Sequence, residues 1–367
     1  MACISCGQSS AQVRHEEFRD FQTVTSDCRP FTSGAGFLVC SSCKIVYRPR
    51  TAQWKSACEE IYSNYEAHRQ GRGEEQKVFK SSSRVSRSSI LIDQLRVRAF
   101  LSDDLAWLDF GCGEGHFLEE IEKVSSGCSL YGCDFGSTRP EKFKPPTTKK
   151  YFSINSKPST RFDRISLIHV VEHFFSPCEE LMEIRKLLKP GGKLFVQVPY
   201  LIKNPLDLVI ADHGTFFTKE TIQSLLWQSG YDVEHISDDW VQKELSIIAS
   251  VSENSVTRSR ISDELNEHED LSPILENHYH YLTSLKNEIA SKRDKGSIII
   301  FGSSIGATWG AAESGLENVE AFFDEDDSRW GFKHLGIRIL RPREDAKNVV
   351  IPLESATKDR IKRKYNF

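Results

Sequence analysis

Two stretches of the chain carry residue types at spacings that do chemistry. The first is a set of four cysteines in two Cys-x-x-Cys pairs, Cys3 with Cys6 and Cys40 with Cys43. Each pair presents two thiolates from one knuckle, and two knuckles close the tetrahedral four-sulfur shell that structural zinc fills. A closed shell leaves no position for water, so an expected Zn2+ here holds polypeptide together and does no catalysis. Four unligated thiols or a redox pair are the competing readings. Cys28 and Cys58 stand alone and read as packed thiols. The second stretch is LDFGCGEG. There the strand-like run LAWLDF ends at Asp109 and passes through Gly111, Cys112, Gly113 and Gly115 into the amphipathic HFLEEIEKV. Glycines at a strand-to-helix turn admit close approach of backbone to a ligand, and the helix behind them offers unpaired N–H groups. Roughly 20 residues on, SLYGCDF sets Asp134 and Phe135 at the end of a second strand, where a carboxylate reaches ribose hydroxyls. A dinucleotide fingerprint requires G-x-G-x-x-G, whereas this loop reads G-C-G-E-G-H, which argues against NAD.

Elements must hold these groups in place, and the pattern supplies them. LAWLDF, SLYGCDF, RISLIHVV and KLFVQVPY alternate with HFLEEIEKV and CEELMEIRKLL, the signature of a parallel sheet with helical crossovers. Pro190, Gly191 and Gly192 are expected to stop a helix before KLFVQVPY, and TKETIQSLLWQSGY reads as a helix followed by two antiparallel strands. Five segments follow: a zinc-binding module over 1–53, a helical lid or connection over 54–100, the main α/β domain over 101–252, a helical linker over 253–295, and a second α/β unit over 296–367. The serine- and arginine-rich run SSSRVSRSS (81–89) suits a flexible connection or a lid.

LDFGCGEG, Asp134, RFDRISLIHVVEHFFSP and LLKPGGKLFVQVP occur in that order, and with them the chain resembles the Rossmann-like class I methyltransferases. The resemblance implies S-adenosylmethionine as cofactor. Its methionine part would lie on the glycine loop (Asp109, Gly111, Cys112, Gly113), its ribose on Asp134 with Phe135 beside it, and its adenine near Asn155. His169, at the end of the strand RISLI, is expected to line the cofactor. The wider order, zinc module then methyltransferase then Rossmann-like unit, is similar to that of the sugar C-methyltransferases. In that family, a histidine after this strand and a Tyr-x-Glu-His segment are thought to be catalytic. Here the matching positions are His173, and Ile210, Asp212 and His213, so aspartate replaces glutamate and isoleucine replaces tyrosine.

Methyl transfer to a hydroxyl or carbon acid needs a base for the acceptor's proton, and imidazole suits that task near neutral pH. His213 with Asp212 beside it is the first candidate and His173 the second. A satisfied structural histidine is the plainer reading of each. Tyr62 and Tyr65 are either caps over the site or core aromatics. In the second α/β unit, Asp324 ends a strand after the GSSIGATWG loop, which could bind a second nucleotide, although its glycine spacing fits no dinucleotide fingerprint well; the resemblance implies instead a unit that helps bind the acceptor or shapes the cleft.

The expected function is therefore S-adenosylmethionine-dependent methylation of a small acceptor, a sugar or nucleotide-linked sugar. An RNA or protein methyltransferase that recognises its substrate through the zinc module, or a non-catalytic cofactor-binding scaffold, are the alternatives. The net charge of -4 argues against a general nucleic-acid binder. No apolar run approaches the roughly 20 residues that span a bilayer, and the start MACISCGQSS has neither a basic nor an apolar leader region, so a cytoplasmic location is expected. Oligomeric state is left open.

Overall fold

The alternation of apolar and amphipathic runs becomes a doubly wound sheet in the computed structural model, which describes residues 2–9, 12–32, 36–66, 75, 77–80, 83–134, 149–153, 160–253 and 270–367. The N-terminal part comprises strands β1 (Gln12–His15), β2 (Thr23–Val24), β3 (Pro30–Phe31), β4 (Phe37–Cys40) and β5 (Val46–Tyr47), then helix α1 (Ala52–Ser63). The stretch expected to be helical over 54–100 also holds a hairpin, β6 (Lys77–Lys80) with β7 (Ser83–Ser86), ahead of α2 (Arg87–Val97). The described part of the serine-rich run is thus regular structure. Ser86 caps α2, its side chain accepting from Ser89 N at 3.1 Å, because a serine oxygen satisfies an N–H that a first helical turn leaves unpaired.

The central sheet follows: β8 (Ala106–Phe110), α3 (His116–Val124), β9 (Ser129–Asp134), β10 (Lys149–Ser153), β11 (Phe162–Ile168), α4 (Pro177–Arg185), β12 (Leu188–Pro199), β13 (Thr215–Phe216), α5 (Lys219–Gln228), β14 (Tyr231–Ser237) and β15 (Glu244–Val251). Seven strands lie in the order β10-β9-β8-β11-β12-β15-β14. The first five run parallel, and β15 and β14 close the edge antiparallel. Strand order reverses between β8 and β11, which opens a crevice at their carboxyl ends where ligands of such sheets bind. Successive residues point to opposite faces. Leu108, Ile165, Leu167, Leu194 and Val196 fill one core, while Trp107, Phe195 and Ile248 pack on Leu91, Leu95, Phe117 and Leu118 in another. α4 ends at Arg185, earlier than expected, and Pro190-Gly191-Gly192 lies inside β12, where the register jumps from Phe162 opposite Leu188 to Arg164 opposite Lys193.

The remaining elements are α6 (Ser272–Arg293), β16 (Ile298–Phe301), α7 (Ile305–Ser314), β17 (Val319–Phe323), β18 (Lys333–His334), β19 (Ile337–Leu340), β20 (Val349–Val350) and α8 (Ser355–Tyr365). They build a five-stranded sheet, β18-β19-β17-β16-β20, parallel except for β18 with β19. The described part of the expected linker is not a free connector. α6 buries Leu275, Leu282, Leu285 and Ile289 in a core shared with Trp309 and Ile300.

The segments are joined and are not strung out like beads. β13, from beyond the central sheet's fifth strand, completes a four-stranded sheet β1-β4-β5-β13 with the N-terminal strands. Phe18, Phe21 and Phe37 share one core with Phe216, Leu282 and Trp309, and Trp309 Nε1 donates to Gln22 O at 2.9 Å. Among the described residues, no helix is long and apolar enough to cross a membrane.

Candidate active site and metal cluster

The glycine loop leaves β8 at the switch point. Gly111, Gly113 and Gly115 take φ of 79°, 48° and 86°, the left-handed region that a side chain disfavours. At Gly111 space is limiting as well, since a Cβ there would stand 2.5 Å from Val170 Cγ2. Gly111 N and Cys112 N donate to Cys133 O at 2.8 and 3.0 Å, and Gly113 N donates to Asp134 Oδ2 at 2.7 Å. The loop is thereby tied to the end of β9, and Asp134 stands in the crevice. Asp109 and Cys112 are buried. The Asp109 carboxyl accepts from Ser166 Oγ at 2.6 Å, and burial pushes its pKa up to about 7. Phe135 and Asn155 lie outside the described residues.

His169 is held between two carboxylates. It sits at φ 54° with Nδ1 3.1 Å from Glu172 Oε1 and Nε2 3.2 Å from Glu244 Oε1, while Arg87 pairs with Glu244 at 3.0 Å. Burial alone would lower its pKa, but Glu244 and Glu172 carry it to about 9. The same pairing holds the Glu172 carboxyl down at about 2 against the effect of its burial.

Next to this crevice lies a second polar cluster. His173 and His213 meet edge to face with ring centroids 4.6 Å apart. The expected pairing of His213 with its neighbour Asp212 is not made: His213 Nδ1 donates to Asp207 Oδ1 at 2.6 Å. Asp212 serves His173 instead, whose Nδ1 is 3.1 Å from Asp212 O and 3.4 Å from Oδ2. A carboxylate or carbonyl only accepts, so Nδ1 of each ring carries a proton and Nε2 is the basic nitrogen when the ring is neutral. No described residue hydrogen-bonds either Nε2. Burial first, and then the neighbouring His213, hold the His173 pKa below the ordinary histidine value. His213 goes the other way: burial would lower it, but Asp207, with Glu172 and Asp212, raises it. Of the two tyrosines, Tyr62 sets its ring edge to face with His173 at 6.1 Å, so it belongs to this wall.

Arginines from the N-terminal part fix the segment that carries His213. Arg48 Nε donates to His213 O at 3.0 Å and its Nη2 to Leu208 O at 2.8 Å, while Arg50 donates to Gly214 O and Thr215 Oγ1, each at 2.7 Å. Asp207, Glu172, Arg48 and Arg50 were not singled out from sequence. HVVEH carried the one available signal, a glutamate beside two histidines.

The four cysteines converge. Cys3 Sγ and Cys43 Sγ are 3.6 Å apart, Cys6 Sγ and Cys40 Sγ 3.8 Å, and all four sulfurs lie within 4.8 Å of one another. A tetrahedral ion with Zn–S bonds of about 2.3 Å has sulfurs about 3.8 Å apart, so this donor set fits zinc. Glu172, His173 and His213 also bring one ligand atom each within 4.8 Å of the others. In the C-terminal sheet, Asp324 Oδ2 accepts from Ser303 Oγ at 2.5 Å and Arg329 Nη1 is 3.8 Å away, so the carboxylate after β17 is engaged within its own unit.

A switch-point crevice with a glycine loop, an acidic residue closing the second strand and an antiparallel edge hairpin define a class I S-adenosylmethionine-dependent methyltransferase domain. Residues 87–236 match the family model described as a methyltransferase domain. The chain is similar to the ubiquinone biosynthesis O-methyltransferase of Roseobacter denitrificans, with 28% identity over 34% of this chain and 59% of that protein. It is similar also to the mitochondrial enzyme of that name from Candida albicans, with 33% identity over 28% of this chain and 35% of that one. The chain thus spans less than two thirds of the length of these relatives. Among solved structures, a 1,6-didemethyltoxoflavin-N1-methyltransferase of Burkholderia thailandensis aligns at 15% identity with a TM-score of 0.41, over 58% of this chain and 98% of that one.

Proposed function

We propose that the protein transfers a methyl group from S-adenosylmethionine to a small polar acceptor, a sugar or nucleotide-linked sugar, with His173 as the base. One observation carries this reading: a ring whose tautomer leaves Nε2 basic sits on the same tight turn as the residue that packs against the glycine loop, His173 N donating to Val170 O at 3.0 Å. Val170, which packs on Gly111, lies three positions before His173 in the same turn. Bound on that loop, the cofactor supplies a methyl group on a sulfonium, an electrophile whose leaving electron pair stays on sulfur. His173 Nε2 takes the proton of the acceptor hydroxyl or carbon acid. His213, whose pKa Asp207 raises against the effect of burial, is the more readily protonated ring and, when protonated, would place positive charge where the acceptor becomes negative. Neighbouring groups with pKa values pushed apart divide the acid and base roles in this way. The role that sequence position suggests for His213 passes to His173, because the carboxylate at Nδ1 makes His213 the more readily protonated ring.

Burial of His213 and Asp212, with Tyr62 set edge to face against His173, favours a small acceptor over a polymer. The order of cysteine module, transferase domain and C-terminal α/β unit supports a sugar acceptor. We assign structural zinc to Cys3, Cys6, Cys40 and Cys43, where it would hold the knuckles against β13. Transfer of labelled methyl to a panel of sugars and nucleotide sugars tests the reading. His173→Ala is expected to lower turnover by about 100-fold to 10,000-fold with cofactor affinity kept. Full turnover in that variant overturns the assignment.

A further inference from the structure

We propose that the N-terminal cysteine-bearing part supplies a working component of the acceptor site. In this inference Ser26, at the tip of the β2–β3 hairpin, positions His173 and sets its basicity through Asp212. It rests on the reading of His173 as the base. The Asp212 side chain is fully buried, yet it receives two hydrogen bonds from Ser26: the backbone N–H to Oδ1 at 2.9 Å and the hydroxyl to Oδ2 at 2.5 Å. That same Oδ2 lies 3.4 Å from His173 Nδ1. The Ser26 hydroxyl thus binds the carboxylate oxygen that faces the His173 ring, whose own Nδ1 hydrogen bond goes to Asp212 O at 3.1 Å, so the negative charge felt by the ring depends on Ser26.

The tip is built to hold this geometry. Thr25 Oγ1 donates to Asp27 Oδ1 at 2.5 Å, Arg29 Nε donates to both Asp27 oxygens at 2.9 Å, and Arg29 Nη2 reaches Ile61 O at 3.0 Å. Cys28 turns the chain at φ 62°, and Ala211 N donates to Val24 O at 2.7 Å, which binds the hairpin to the segment carrying Asp212. These contacts join residues some 186 positions apart, so a hairpin from outside the transferase domain completes that domain's site. Ser26 acts through Asp212 and is a positioning residue.

The ionisable groups facing His173 are Asp212 and His213 from the 205–215 segment, Glu172 from its own turn, and Tyr62 from α1. In Ser26→Ala the backbone N–H still holds Oδ1, while Oδ2 loses its hydroxyl partner and becomes a stronger acceptor for His173. The His173 pKa should rise by about one unit, the scale of one lost hydrogen bond to a charged group. Asp212→Asn removes the negative charge and should shift it the opposite way. The full-length, metal-loaded protein is titrated by 15N NMR of its histidine side chains, with the His173 signal identified by its absence in His173→Gln. Expected are an upward shift in Ser26→Ala, a downward shift in Asp212→Asn and a near-native value in Ser26→Thr, with cofactor affinity unchanged in all three. Titration curves of Ser26→Ala and wild type that superimpose overturn the proposal, as do shifts of equal sign in the two variants. The readout needs no acceptor. If the shifts appear while His173→Ala retains full turnover, the base assignment fails and the coupling stands.

Discussion

Replacing Gly111 by alanine attacks the cofactor loop at a point where two costs add. The residue has φ of 79°, and a left-handed backbone costs a residue with a Cβ ~1–2 kcal/mol. The new methyl would also stand 2.5 Å from Val170 Cγ2, against 3.4–4 Å for ordinary contact. Val170 is itself buried and must swing away, giving up packing of about one methyl group, roughly 1 kcal/mol. Gly111→Ala should therefore lose about 2–3 kcal/mol of stability in urea unfolding. Cofactor affinity should fall alongside, since the shift strains the bond from Gly111 N to Cys133 O. Val170→Ala in the same chain removes the steric part and leaves the backbone part, so the double variant should recover about 1 kcal/mol relative to the sum of the singles. Gly111→Ala within about 0.5 kcal/mol of wild type, or a cycle with no coupling, would refute the reasoning about this turn.

Three other outcomes are expected. The pH profile of kcat/KM should be bell-shaped: activity falls below the depressed His173 pKa as the base is protonated and falls above the raised His213 pKa as that ring loses its charge, which rate measurements from pH 5 to 10 check. Elemental analysis should find one zinc per chain and none in Cys40→Ser; a second equivalent lost in His173→Ala would make the histidine cluster a metal site and remove the base from the account. His169 has a folded pKa of about 9 against an ordinary 6.5, so its contribution to stability is complete below pH 6.5 and is lost as pH rises through 9; the Tm should decline across that interval and decline less in His169→Gln.

What was legible in the sequence shares one property: the chemistry is local in the chain. The glycine loop, Asp134 after its strand and the two cysteine knuckles are short patterns whose geometry follows from a turn or a strand end. What was illegible depends on distant parts meeting. Asp207 reaches His213 because the short helical turn Pro205–Val209 folds the chain back on itself, and adjacency pointed to Asp212 instead. Asp212 faces Ser26 only after the N-terminal hairpin docks. β10 escaped notice because it is a five-residue edge strand with parallel pairing on one side and little apolar content. The sheet formed by β13 with the N-terminal strands rests on the two residues Thr215 and Phe216, too few to show a period.

We propose that the crevice between β8 and β11 takes S-adenosylmethionine, with the glycine loop and Asp134 as its frame. Calorimetric titration of the purified full-length chain with S-adenosylmethionine, its demethylated product and NAD tests this most directly. Saturable binding of the first two and none of NAD is expected, with Asp134→Ala weakening affinity by about 5-fold to 150-fold, the equivalent of ~1–3 kcal/mol. Binding of NAD without S-adenosylmethionine, or S-adenosylmethionine affinity unchanged in Asp134→Ala, would contradict it.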